Sequence, residues 1–214
     1  MKILDFIIEI GGGMTIYRWL FNWQIKKHCS TLSGEIIDLA GGGDASYYKY
    51  LPEDVKIIKT NLKGEGLNMR VDLNEKLPFS DNSVQTFFLF NAIYIIRDRV
   101  AMLSEIKRAL RPGGQLFIAS PFISNEMPDP HDYGRLTAEG LETELSESGF
   151  ANIKIERFGE RFTSAAYLLH PFFLLGIIRL PVYALALLLD FLIPERVKIG
   201  HPAPLGYFCV VRKH

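Results

Sequence analysis

The sequence predicts a single doubly wound α/β domain, and three observations carry that reading. Strand-like and helix-like runs alternate from about residue 14 to residue 158. The run VQTFFLF is apolar throughout, as expected of a central strand covered on both faces. Glycine turns and helix caps fall at the joints between runs. At 214 residues, the chain is long enough for one full core and too short for two ordinary domains.

Each element follows from its local pattern. MKILDFIIEIGGG carries Asp5 and Glu9 inside its apolar run, unlike a secretory signal peptide. Ile16, Trp19, Leu20 and Trp23 stand at i, i+3, i+4 and i+7, which predicts an amphipathic helix within residues 14–30. EIIDL, VKIIKT and VQTFFLF read as the first strands of a core over residues 34–160. Asp98 is placed to cap a helix whose Val100, Leu103, Ile106 and Leu110 share a face, and Arg111-Pro112-Gly113-Gly114 stops it before QLFIAS. Thr137 caps the next helix, which buries Leu141 and Leu145 and ends at Gly149. NIKIERF alternates as a strand, and residues 205–212, within GYFCVVRK, supply the last one. This alternation implies right-handed crossovers, with ligands at the C-terminal edges of the strands.

Charge and composition narrow the partners. Lys plus Arg is 24 and Asp plus Glu is 24, a balance that argues for no nucleic-acid partner. Cys29 and Cys209 are far apart, form no metal-ligand cluster and fit a reducing, cytoplasmic setting. Residues 165–193 form an apolar insertion in which only Arg179 and Asp190 are charged, broken by Pro171 and Pro181. Neither half has the unbroken length that a bilayer span requires. A cap on the sheet, a homodimer contact, docking on a membrane surface, helped by Arg179, Arg196 and Lys198, and, despite the breaks, a transmembrane helix remain open for it.

The stretch GEIIDLAGGGD, residues 34–44, runs from a strand into a glycine loop and is followed by a second strand ending in a polar residue. That order suits nucleotide recognition: glycines let the backbone approach the ligand, and the polar strand end meets ribose hydroxyls. An earlier triple glycine at residues 11–13 lacks the second strand. The nicotinamide pattern G-x-G-x-x-G is not met, because Asp44, Ala45 and Ser46 follow Gly43.

Taken together, IIDLAGGGD, IIKTN, MRVDLNEKLPFSDNSVQTFFLFNAIYIIRD, EIKRALRPGGQLFIASPF and HDYGRLTAEGLETELSESGF resemble the class I S-adenosylmethionine-dependent methyltransferases, of the methyltransferase type 11 kind. The resemblance implies a Rossmann-like, seven-stranded, mostly parallel sheet with helices on both faces. It implies S-adenosylmethionine as cofactor and no metal. Asp38 would orient the loop and approach the methionine amino end, and Ala40, Gly41 and Gly42 would pass beneath the cofactor. Asn61 would meet the ribose, Asp72 and the Leu73 backbone would read the adenine, and Asn91 would line the methionine side.

The chain departs from the family pattern at several points. Ala40 and Asp44 stand where glycines are usual, Asn61 replaces an acid, Tyr94-Ile95 replaces Glu-His, and Met127 replaces a histidine. Ala40 cannot adopt positive φ cheaply, so the turn must keep negative φ there or shift onto Gly41. For the transfer itself, His131 is the candidate base, oriented by Asp132 and with Tyr133 lining the acceptor pocket; alternatively Asp132 fastens the loop to Arg135. The expected function is methyl transfer to a hydroxyl of a small, glycan or lipid-linked acceptor. The runner-up is a methyltransferase-like binding or scaffold protein that has lost turnover.

Overall fold

The computed structural model describes residues 3–42, 45–173 and 175–214. Seven strands form one sheet: β1 (Glu35–Asp38), β2 (Lys56–Asn61), β3 (Met69–Arg70), β4 (Val84–Phe90), β5 (Leu110–Pro121), β6 (Ala151–Phe158) and β7 (Gly206–Arg212). Their order is β3-β2-β1-β4-β5-β7-β6. Strands β1 to β5 pair in parallel, whereas β7 runs antiparallel to both β5 and β6. The strand order reverses at β1, so a crevice opens beyond the C-terminal ends of β1 and β4.

Strand β4 shows why its sequence lacks alternation. Phe87 and Leu89 enter one apolar core, and Phe88 and Phe90 the other. The first core is closed by α3 (Arg99–Ala109) and α4 (Ala138–Glu147). The second lies under α1 (Ile3–Gly11), α2 (Ile16–Cys29), α5 (Arg161–Leu168) and α6 (Gly176–Leu192). A short α7 (Glu195–Gly200) leads into β7.

The expected caps form. Asp98 accepts a hydrogen bond from the Ala101 amide at 3.0 Å, and Thr137 accepts one from the Gly140 amide at 3.1 Å. Gly149 ends α4 at φ 81°, in the left-handed region. Two details differ from the sequence reading. Leu110 is buried as the first residue of β5, paired with Val84, so Arg111 to Gly114 lie within the strand rather than before it. In α2, Ile16 and Leu20 are buried but Trp23 is 47% exposed, because the helix turns Tyr17, Phe21 and Ile25 inward instead. Trp19 packs edge-on against Phe6 of α1, with ring centroids 5.1 Å apart.

The apolar insertion folds as the end of α5, a tight turn at His170–Phe172, and α6. Among the described residues, no helix is long and apolar enough to cross a membrane.

Candidate functional site

A cleft of about 520 Å³ opens at the switch point, within the size range of small-molecule sites. Its floor is the loop at Ala40, Gly41 and Gly42, and Asn91, just after β4, forms one side. Neither Ala40 nor the two glycines adopts positive φ. The glycine at 41 is needed for closeness: a Cβ there would collide with the Asp38 carboxylate and the Tyr48 hydroxyl.

Asp38 lies beneath that loop, fully buried. Its Oδ2 accepts hydrogen bonds from the Tyr47 and Tyr48 hydroxyls, the latter at 3.0 Å, and its Oδ1 has no hydrogen-bond partner among the described residues. Burial pushes its carboxyl up to about 6, against the pull of the two tyrosine hydrogen bonds. Asn61 donates to the Ala40 carbonyl at 3.4 Å, and its Oδ1 accepts from the Leu62 amide at 2.8 Å. The amide that replaces an acid at this position therefore ties the strand end to the loop.

Of the expected cofactor residues, Asp38, Asn61, Asp72 and Leu73 stand outside the cleft lining, whereas Ala40, Gly41, Gly42 and Asn91 belong to it. The Asp72 carboxylate accepts from the Asn74 amide at 2.9 Å, and Leu73 is buried in the core beneath it. The rings of His131 and Tyr133 meet at a tilt, with centroids 5.3 Å apart, and line a separate cavity of about 440 Å³ together with Leu73, Asn74 and Arg97. Asp132 does not face His131; it accepts from the Met127 amide at 2.9 Å and pairs with both terminal nitrogens of Arg135. The Arg135 guanidinium lies over the Tyr94 ring, 4.6 Å from its centroid. Gly43 and Asp44 fall outside the described residues.

The remaining walls come from residues that pattern reading did not assign to the site. Thr15, Tyr17 and Arg18 enter from the start of α2, and Tyr167 from α5. Tyr17 donates its hydroxyl to Asn91 Oδ1, and its ring meets that of Tyr167 at 5.5 Å. Burial pushes the Tyr17 phenol well up, so it stays a donor at neutral pH. Asn91 adopts φ 54°, a left-handed conformation that asparagine tolerates. Two departures from the family pattern meet here: the Tyr94 hydroxyl lies 3.4 Å from the Met127 sulfur. Arg18 lies on no apolar stripe, and Tyr17, at i, i+4 and i+8 with Phe21 and Ile25, reads as core spacing rather than as a site residue. The only local signal is Thr15, whose hydroxyl caps the helix at the Arg18 amide.

Comparison with known proteins agrees with the fold. Residues 35–118 match the family described as "Methyltransferase domain". A SAM dependent methyltransferase from Archaeoglobus fulgidus superposes with a TM-score of 0.63 at 17% identity, over 99% of this chain and 100% of that one. At that identity the likeness is one of fold. The sheet order and the superposition give the chain the α/β fold of S-adenosylmethionine-dependent methyltransferases, the architecture expected from the sequence, and the matched segment is similar to their methyltransferase domain.

Two curated relatives are both named tRNA U34 carboxymethyltransferase. The one from Campylobacter curvus is 38% identical over 65 residues, 30% of this chain and 20% of its own length. The one from Nautilia profundicola is 26% identical over 141 residues, 58% of this chain and 45% of its own length. The chain thus spans less than half of either relative. These names overturn the expectation, drawn from charge balance alone, that nucleic acid is excluded as a partner. Zero net charge over a whole chain says nothing about where its cations cluster.

Proposed function

We infer that the protein binds S-adenosylmethionine across the C-terminal ends of β1, β2 and β4 and transfers its methyl group to an acceptor in the tyrosine-lined end of the cleft. The observation that carries this reading is the loop at Ala40 to Gly42, pressed onto a buried Asp38 that keeps one oxygen unpartnered. That carboxylate lies under the loop and outside the cleft lining, so it would attract the methionine ammonium from beneath Gly41. Arg18, exposed at the cleft, suits the methionine carboxylate. Asn61 would meet the ribose, Asp72 and the Leu73 backbone the adenine, and Asn91 the methionine chain.

The bound cofactor supplies an electrophilic methyl on a sulfonium. The residues of this chain align it and keep water away. The ring faces of Tyr17, Tyr94 and Tyr167 favour a cation, and Asn91, held by Tyr17, fixes the side from which an acceptor approaches. Among the described residues that line the cleft there is no Asp, Glu, His or Lys. An acceptor confined to the cleft therefore needs a nucleophile with a lone pair free near neutral pH. The base role expected of His131 applies to an acceptor that reaches the neighbouring cavity.

A second acceptor reading, RNA, is favoured by the names of the two curated relatives and by the rings, on which a base would stack. Calorimetry with S-adenosylmethionine and S-adenosylhomocysteine tests cofactor use; no heat with either, from folded protein, rejects it. Asp72→Ala is expected to weaken the binding. Labelled methyl supplied with total tRNA, or with lipid and glycan extracts, then reports the acceptor. Binding without product in every extract leaves the non-catalytic binder as the better account.

A further inference from the structure

Helices α1 and α6 are built inside out. The two charged side chains of α6 both turn inward onto backbone atoms: Arg179 donates to the carbonyls of Phe173 and Gly13 at 3.0 and 2.8 Å, and Asp190 accepts from the amides of Phe162 and Thr163 at 2.8 and 3.0 Å. Tyr183 and Ala186 lie on the same buried side. The opposite side carries Ile177, Ile178, Leu185, Leu188, Phe191 and Leu192, exposed from 43% to 79%, with no polar residue among them. In α1, Glu9 turns inward to Lys49 and Tyr50, while Ile3, Leu4, Ile7 and Ile8 are 47% to 82% exposed. The two helices touch at glycines, where a Cβ on Gly176 would sit 2.5 Å from the Gly11 carbonyl oxygen. The C-terminal end of α1 thereby meets the N-terminal end of α6.

We propose that this α1–α6 face docks on the surface of a lipid bilayer, lying in the interface without crossing it. Two features select lipid over a protein partner. A protein interface carries roughly one hydrogen bond per 100–200 Å² and favours Tyr, Trp, Phe, Met and Arg; apart from Phe191, the exposed residues named on this face are aliphatic, and none of them offers a side-chain hydrogen-bonding group. Its edge also has the chemistry of a headgroup boundary. Trp23, 47% exposed, shares a groove with Leu187 and Phe191, with the cations Arg157 and Lys198 and with the acids Glu160, Asp190 and Glu195, the last paired with Lys198 at 3.8 Å, and Arg196 is exposed beside them. The cleft adjoins the same face: Thr15 and Tyr17 follow α1 directly, and Tyr167 is followed by Leu168 and Leu169, 38% and 51% exposed. Docking therefore sets the cleft mouth beside the lipid surface. This inference does not rest on methyl transfer, because docking is read without cofactor.

The test is co-sedimentation of the full chain with vesicles of phosphatidylcholine, alone or with phosphatidylglycerol, alongside Trp fluorescence. The protein is expected to sediment with vesicles, more strongly with the anionic lipid, with a blue shift from Trp23. The variant Ile177→Glu, Leu185→Glu, Phe191→Glu changes only exposed side chains. With unchanged circular dichroism, it should lose at least about tenfold in partitioning. Reversing Arg196 and Lys198 to Glu should remove the preference for anionic lipid. The proposal is overturned if the wild type stays in the supernatant with both vesicles. It is also overturned if the triple variant still sediments, or if sedimentation velocity shows a dimer that the triple variant dissolves, which would assign the face to a second copy of the chain.

Discussion

Gly41 and Asp38 set each other's chemistry. The glycine lets the loop lie against a carboxylate, and the loop in turn seals that carboxylate from water. Gly41→Ala should therefore destabilise the fold by about 1–3 kcal/mol, as overpacking does, and should abolish cofactor binding; urea denaturation and calorimetry would report the two losses. Asp38 yields a pH prediction. Its folded carboxyl is raised from 3.8 to about 6, so the folded state holds the proton more tightly than the unfolded chain. Its stabilising contribution is full below about 4, is lost as pH rises to about 6, and becomes a constant cost above that, at most about 3 kcal/mol for two pH units. Asp38→Asn should then gain stability relative to wild type as pH rises through that window, measured by urea midpoints from pH 4 to 7. Cofactor affinity should run the other way, rising with pH in the wild type and staying weak and flat in the variant. Asp38 and the glycine loop were legible in the sequence, because a strand end and a bend are local events. Tyr17, Arg18 and Tyr167 were not, since their roles arise only where α2 and α5 meet the sheet's crest.

At the level of elements, Asp190 links two helices. Its carboxylate sits on α6 but accepts from the first amides of α5 and from the Thr163 hydroxyl at 2.6 Å. Asp190→Ala should cost about 2 kcal/mol, in the range for buried hydrogen bonds to a charged group, and should loosen α5 enough to raise hydrogen exchange around Tyr167. Asp98→Ala, which removes an ordinary cap from α3, should cost only about 1 kcal/mol. The Asp98 cap was legible because it serves its own helix three residues along. Asp190 was visible in the sequence only as one of two charges in an apolar run, because its partners lie 27 and 28 positions away. Leu110 shows the same limit: helical spacing continued through it, while pairing with Val84 drew it into β5.

For the whole molecule, saturation with cofactor should raise stability by about 2.7 kcal/mol at a hundred times the dissociation constant. A thermal-shift titration with S-adenosylmethionine checks this, and a flat response would remove the cofactor reading. The doubly wound architecture was legible because alternation, caps and an apolar central strand all agreed. Partner class was not, because it depends on which surfaces the chain leaves uncovered. Position within the sheet has its own consequence. β7 is seventh along the chain but sits sixth in the sheet, wedged between β5 and β6. Until residues 206–212 slide into that slot, two raw strand edges face each other across a gap. A nascent or partly denatured chain is thus most vulnerable to clumping there, and a short peptide copying GYFCVVR would be the natural competitor for the vacancy.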